Sequence, residues 1–187
     1  MNDDIIRSVE ILRAGGLILY PTDTVWGIGC DAANLDAVER IYRLKKRSDR
    51  RSMLILLGNE SWLQQYVKEI PEIAWQLLDV SDKPLTIIYP GAKNLASNLI
   101  AENGSIGIRL PNDEFCQKLL NRFRRPIVST SANITGLDTP ASFREISQEI
   151  RDGVDYVVNY KQDVLLNSSP SSVIELGLGG EIHVIRK

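Results

Sequence analysis

Short apolar runs alternate with amphipathic segments along this chain, and that alternation constrains the fold more than any other feature. Leu17-Ile18-Leu19-Tyr20 is a buried strand stopped by Pro21, and Met53 to Leu57 is a second continuous apolar run. Leu85 to Tyr89, Ser105 to Leu110 and Ile127 to Thr130 read as further strands. Between them the period changes. Ile5, Ile6, Val9 and Leu12 share one face of a helix over about Asp3 to Ala14, with Asn2 placed to cap it and Gly15-Gly16 to end it. A second helix starts after Asn34 with Val38, Ile41 and Tyr42 on one face. Ser61 to Val67 and Glu72 to Asp79 are helical, Pro71 standing at the first turn of the latter, and so is Glu114 to Phe123. Ser142 and Glu145 make a capping box for a helix to about Ile150, followed by a strand around Tyr156 to Val158. Ser172 to Leu176 and Glu181 to Arg186 form a hairpin across Gly177 to Gly180. The pattern predicts an α/β fold: a single domain over residues 1–187 with a twisted mixed β-sheet flanked by helices.

At 187 residues such a chain buries roughly 70% of its unfolded surface. No apolar run approaches the ~18 residues of a membrane span. The acidic start Met1-Asn2-Asp3-Asp4 lacks the basic and apolar regions of a secretory signal, so a cytoplasmic protein is expected.

One histidine, His183, and two cysteines, Cys30 and Cys116, narrow the chemistry. A zinc site of His and Cys needs three or four such ligands. A disulfide framework needs more cysteines. His183 sits on the terminal hairpin, where a histidine reads as a surface residue. The reaction must therefore use carboxylates, hydroxyls, backbone amides and cations.

Charge is concentrated. Arg43, Lys45, Lys46, Arg47, Arg50 and Arg51 fall within nine residues beside one acid, Asp49, and outside that block 16 basic residues face 23 acidic ones. Arg122, Arg124 and Arg125 form a smaller cluster. Cations near a helix C-terminus offset the macrodipole. Six in nine exceeds that need, and a focused positive field attracts phosphates.

Gly27-Ile28-Gly29-Cys30-Asp31-Ala32 matches G-x-G-x-x-A, but Pro21-Thr22-Asp23-Thr24 before it is too polar for a dinucleotide fingerprint. Its glycines read as close backbone approach or a tight turn. A P-loop and a G-x-S-x-G elbow are both absent. Ser129-Thr130-Ser131-Ala132-Asn133 leaves the end of a strand, where hydroxyls can meet an anion; the same residues suit an ordinary polar turn. Pro170-Ser171-Ser172 is a similar case. In Ile106-Gly107-Ile108-Arg109, alternation places Arg109 with Gly107 and Ser105. That pattern fits a guanidinium holding a carboxylate or phosphate, and equally an edge arginine.

In this order the fragments resemble one family. Pro21 to Ala32 is similar to the P-T-[DE]-T-V-[YF]-G-[LI]-G segment of the YrdC-like proteins, and Lys45-Lys46-Arg47 to their K-x-R. Ser129 to Asn133 is their S-T-S-A-N, and Pro170-Ser171-Ser172-Val173 resembles their P-S-T-V. The chain departs at Ser48, where proline is usual, at Ser81-Asp82-Lys83-Pro84 in place of W-P-G-P, and at Leu56, where some longer members have histidine. The resemblance implies a nucleotidyltransferase that converts L-threonine, bicarbonate and ATP into threonylcarbamoyl-adenylate and pyrophosphate, with Mg²⁺ held mainly by ATP phosphates and no protein metal site. It implies Lys45 and Arg47 as catalytic, and Lys45, Arg47 and Arg51 on the phosphates. Ser105, Ser131 and Asn133 line the nucleotide site and Arg186 closes it, while Thr24, Arg109, Ser129 and Ser171 meet threonine or its carbamate. Partner proteins pass the group to tRNA. The alternatives are weak RNA binding through the basic patch as the main role, or a paralogue with a different or lost adenylating activity. An RNA module interleaves aromatic with basic residues, and only Tyr42 adjoins this block.

Overall fold

Alternation of side chains along each strand divides the molecule into two cores. The computed structural model describes residues 1–47, 53–166 and 170–187. Its strands are β1 (Ile18–Tyr20), β2 (Gly27–Gly29), β3 (Leu54–Leu56), β4 (Leu85–Tyr89), β5 (Ile106–Arg109), β6 (Ile127–Ser131), β7 (Tyr156–Val157), β8 (Ser172–Leu176) and β9 (Ile182–Arg186). They form one mixed sheet in the order β7-β1-β2-β6-β3-β5-β4-β8-β9. The pairs β1/β7, β3/β5 and β4/β8 are parallel and the rest antiparallel. The helices are α1 (Asn2–Arg13), α2 (Leu35–Leu44), α3 (Leu63–Tyr66), α4 (Glu72–Val80), α5 (Glu114–Phe123) and α6 (Gln148–Asp152).

On one face, Ile18 and Tyr20 of β1, Leu56 of β3 and Ile127 of β6 pack against Ile5, Val9 and Leu12 of α1 and Phe115, Leu119 and Leu120 of α5. On the other, Leu17, Leu19, Ile28, Ile55, Ile108 and Val128 meet α2 through Val38 and Ile41, with Leu63, Ala74 and Ile150 from the remaining helices. Neighbours in sequence thus belong to opposite cores, as a two-residue period requires. The α/β architecture with a mixed sheet flanked by helices is the one expected.

Three local expectations are corrected. Gly27–Gly29 is a central strand, not only a turn: Gly27 pairs with Tyr20 and Ser131 on its two sides. Two glycines carry no strand preference, yet only glycine fits, since a Cβ on Gly29 would lie 2.7 Å from the Val128 carbonyl oxygen. Met1, not Asn2, stands at the α1 cap, without a side-chain bond. Ser142 and Glu145 do bond to each other at 3.0 Å, but they close only one 3₁₀ turn, Phe143–Glu145. Ile146 then turns extended to reach the core, and Ser147 caps α6 instead. By contrast α2 starts after Asn34 as expected, and Asn34 also caps it, its Oδ1 accepting from Ala37 N at 3.0 Å.

Candidate active site

The face beneath α1 and α5 changes character partway along its strands. On β6, Ile127 lies in the core, whereas Ser129 and Ser131 line a cleft of about 270 Å³. On β3, Leu56 faces Ile127 in the core and Leu54 faces Ser129 in the cleft. Gly27 and Gly107 keep the floor flat; a Cβ on Gly107 would touch Leu54 and Thr86 at 3.4 Å. Among the described residues the lining holds three arginines, eight hydroxyl side chains and no carboxylate. That composition suits anions.

Arg109 reaches the cleft as its strand alternation predicts, with Ile106 and Ile108 on the opposite side in the core. Its side chain is 4% exposed and stands 3.4 Å from Asp23 Oδ1. Nη1 donates to Thr24 Oγ1 at 2.9 Å. Thr22 Oγ1 donates its one proton to the Val25 carbonyl at 2.7 Å. The 2.9 Å contact between Thr24 and Thr22 hydroxyls therefore has Thr24 as donor. The chain of bonds runs Arg109, Thr24, Thr22, Val25, each polarising the next. With its proton committed inward, Thr24 offers a ligand only a lone pair. Arg109 Nε is buried without a hydrogen-bond partner.

Ser171 closes the same end. Its Oγ lies 2.7 Å from Thr86 Oγ1, and its carbonyl accepts from Arg186 Nε at 3.0 Å and Nη2 at 2.7 Å. Burial, then the charge of Arg109, lowers the pKa of Arg186, so the two guanidiniums share one field. Thr86 and Thr22 were not singled out from sequence. The signal for Thr86 is a single threonine in the apolar run Leu85 to Tyr89, in the same alternation as Ile88.

The described members of the basic block separate. Lys45 Nζ is turned inward, donating to the Ser131 carbonyl and, at 2.6 Å, to that of Asn133. Burial, then the Arg47 charge, pushes its ammonium down to about 8. Lys46 takes a left-handed φ of 51° and pairs with Glu149 at 2.8 Å, and Arg43 pairs with Glu39 at 3.4 Å. Only Arg47 lines the cleft. Arg51, with Ser48 and Arg50, lies outside the described residues.

Thr24, Arg47, Arg109, Ser129, Ser131, Ser171 and Arg186 thus meet in one cleft. Lys45, Ser105 and Asn133 adjoin it without lining it. Ser105 Oγ donates to Asn103 Oδ1 at 2.7 Å, and Asn133 Nδ2 to the carbonyls of Leu137 at 2.7 Å and Ile134 at 3.1 Å. His183 is exposed on β9, as expected. No group of three or more His, Cys, Asp or Glu among the described residues is placed to hold a metal.

The chain is similar to known proteins. Residues 10–187 match the profile of the Sua5/YciO/YrdC family, which carries the description Telomere recombination. Over 181 residues the chain is 30% identical to the threonylcarbamoyl-AMP synthase of Pseudoalteromonas translucida, covering 95% of each. The crystal structure of P. abyssi Sua5 complexed with L-threonine is similar at 28% identity and a TM-score of 0.84, over 92% of this chain but half of that one. E. coli YciO matches at 28% identity and a TM-score of 0.86, over all of this chain and 90% of YciO. With its profile matched over residues 10–187, the chain belongs to the Sua5/YciO/YrdC family.

Proposed function

We propose that this protein condenses L-threonine, bicarbonate and ATP into L-threonylcarbamoyl-adenylate, releasing pyrophosphate. The observation that carries the reading is the cleft itself: three arginines and eight hydroxyls without a lining carboxylate, in a chain similar to synthases of that name. In such a reaction the threonine amine and bicarbonate combine into a carbamate and water. A carbamate oxygen then forms a bond to the α-phosphorus as the bond to the β-phosphate oxygen breaks, and pyrophosphate leaves. Every reactant is anionic or becomes so, which is what fixed cations stabilise.

In this reading Arg109 Nε, buried and unpartnered, takes the threonine carboxylate, and the free lone pair of Thr24 accepts from its ammonium or hydroxyl. Ser129 and Ser171 flank the carbamate. Arg47, together with Arg51, holds ATP phosphates, Ser105, Ser131 and Asn133 form the nucleotide side, and Arg186 closes the cleft. Magnesium enters with ATP, held by phosphates and water, as suits its reluctance to shed water. Rate comes from holding three reactants in line rather than from a titrating base. Partner proteins would carry the product's threonylcarbamoyl group to tRNA, and we assign the reaction to the cytoplasm; no helix of the described residues is long and apolar enough to cross a membrane.

Pyrophosphate release measured with all three substrates, and with each omitted in turn, tests the proposal. Release should need all three. Threonine-independent release, or none, would sink it.

A further inference from the structure

We propose that Lys45 is a positioning residue: its ammonium bolts the chain after β6 to the end of α2 and holds that wall of the cleft without touching a ligand. The inference rests on the reading of the cleft as a nucleotide site. Lys45 is 3% exposed. Two of its three N–H donors are spent on the carbonyls of Ser131 and Asn133. Its own carbonyl accepts from Thr135 N at 2.9 Å, so this one residue grips the segment from 131 to 135 at three points. Ala132 N is tied in turn to the Trp26 carbonyl at 3.0 Å, which joins the segment to the start of β2.

Moving the ammonium out into the cleft, which Lys45 does not line, would break both part-buried carbonyl bonds, which is costly. Arg47 is placed differently, since it lines the cleft itself. The left-handed backbone at Lys46 reverses the chain, Arg47 N bonds the Tyr42 carbonyl at 3.0 Å, and the guanidinium is delivered to the cleft. The two cations of one short motif therefore divide the labour: one faces the ligand and the other builds the wall.

The test compares calorimetric binding of ATP, adenosine and L-threonine to the wild-type chain, Lys45→Met and Arg47→Ala. A wall-builder serves the nucleoside with or without phosphates. Lys45→Met should weaken ATP and adenosine by the same factor, roughly tenfold, and leave threonine affinity within twofold. Arg47→Ala should weaken ATP by a similar factor and spare adenosine. Loss of ATP affinity alone in Lys45→Met would show a direct phosphate contact and overturn the proposal. So would no loss at all, or an equal loss of threonine binding, which is the mark of a merely structural role. A wild-type chain that holds ATP but no adenosine also overturns it, since the wall would then serve no nucleoside. If the wild-type chain binds no nucleotide, the functional reading itself falls. Should Lys45→Met fail to fold, Lys45→Gln, whose amide can still donate, should give a smaller loss with the same ATP-to-adenosine ratio.

Discussion

Arg109 and Arg47 line one cleft but are held by different means. Arg109 sits inside a strand of the sheet, 4% exposed, with Thr24, Asp23 and the paired strand residue Thr86 around it. Its half of the cleft is closed and hydrogen-bonded before any ligand arrives. Arg47 lies beyond the end of α2 and is half-buried, opposite a wall that leaves β6 and is gripped from behind by Lys45. One half is rigid because the sheet builds it; the other is positioned by a single buried cation. Under the function proposed above, the difference matches two tasks: recognising a small amino acid of fixed shape, and admitting a long triphosphate.

Breaking the rigid half should cost most. Arg109→Ala strips a buried cation from Asp23 and from the Thr24 chain of bonds, and removing one member of a buried pair costs about 3–5 kcal/mol. Threonine-dependent pyrophosphate release should fall by roughly two to three orders of magnitude, with a lowered melting temperature. Arg47→Ala loses charge-assisted contacts of ~1.5–3 kcal/mol, so the rate at limiting ATP should drop about tenfold to a hundredfold with little change in melting. If instead Arg47→Ala proved the more damaging, the contrast between the halves would be wrong.

Smaller effects sharpen the contrast. Thr86→Val removes the hydroxyl paired with Ser171 and should raise the threonine KM about fivefold, for a bond of ~1 kcal/mol, while the ATP KM holds. Lys45 titrates at about 8 in the fold and near 10.4 in an unfolded chain. Between those values the unfolded state holds the extra proton, so the stability of the ligand-free protein should rise with pH from about 8 toward 10. Urea unfolding across that range should show the slope, and Lys45→Met should lack it. Last, His183→Ala should change the rate by less than about twofold, as befits an exposed residue on β9 that is absent from the lining.

Much of this was legible from local pattern. Alternation in Ile106-Gly107-Ile108-Arg109 placed the arginine away from the core, Asn34 announced the start of α2, and the terminal hairpin was plain from its glycines. Other features were not. Gly27–Gly29 is a strand because β1 and β6 flank it, a context no propensity expresses. Asn2 has cap chemistry but lies inside α1, and Ser142 caps only a single 3₁₀ turn before Ile146 enters the core. The basic block read as one patch, yet the surrounding elements send Arg43, Lys45, Lys46 and Arg47 to separate places.

The sequence by itself determined which residue types would be on hand: one histidine, a cluster of cations, hydroxyls at strand ends, and faces set by a period of two. Only the tertiary structure decided which of them meet. Arg109 bonds Thr24 across 85 residues, Thr86 bonds Ser171 across 85, and Lys45 bonds Ser131 across 86. Periodicity reaches one turn or two residues, whereas these contacts follow from the order in which the strands of the described residues pair. That order arises from burying two cores at once, and it sends one cation of a basic run into the cleft and another behind its wall.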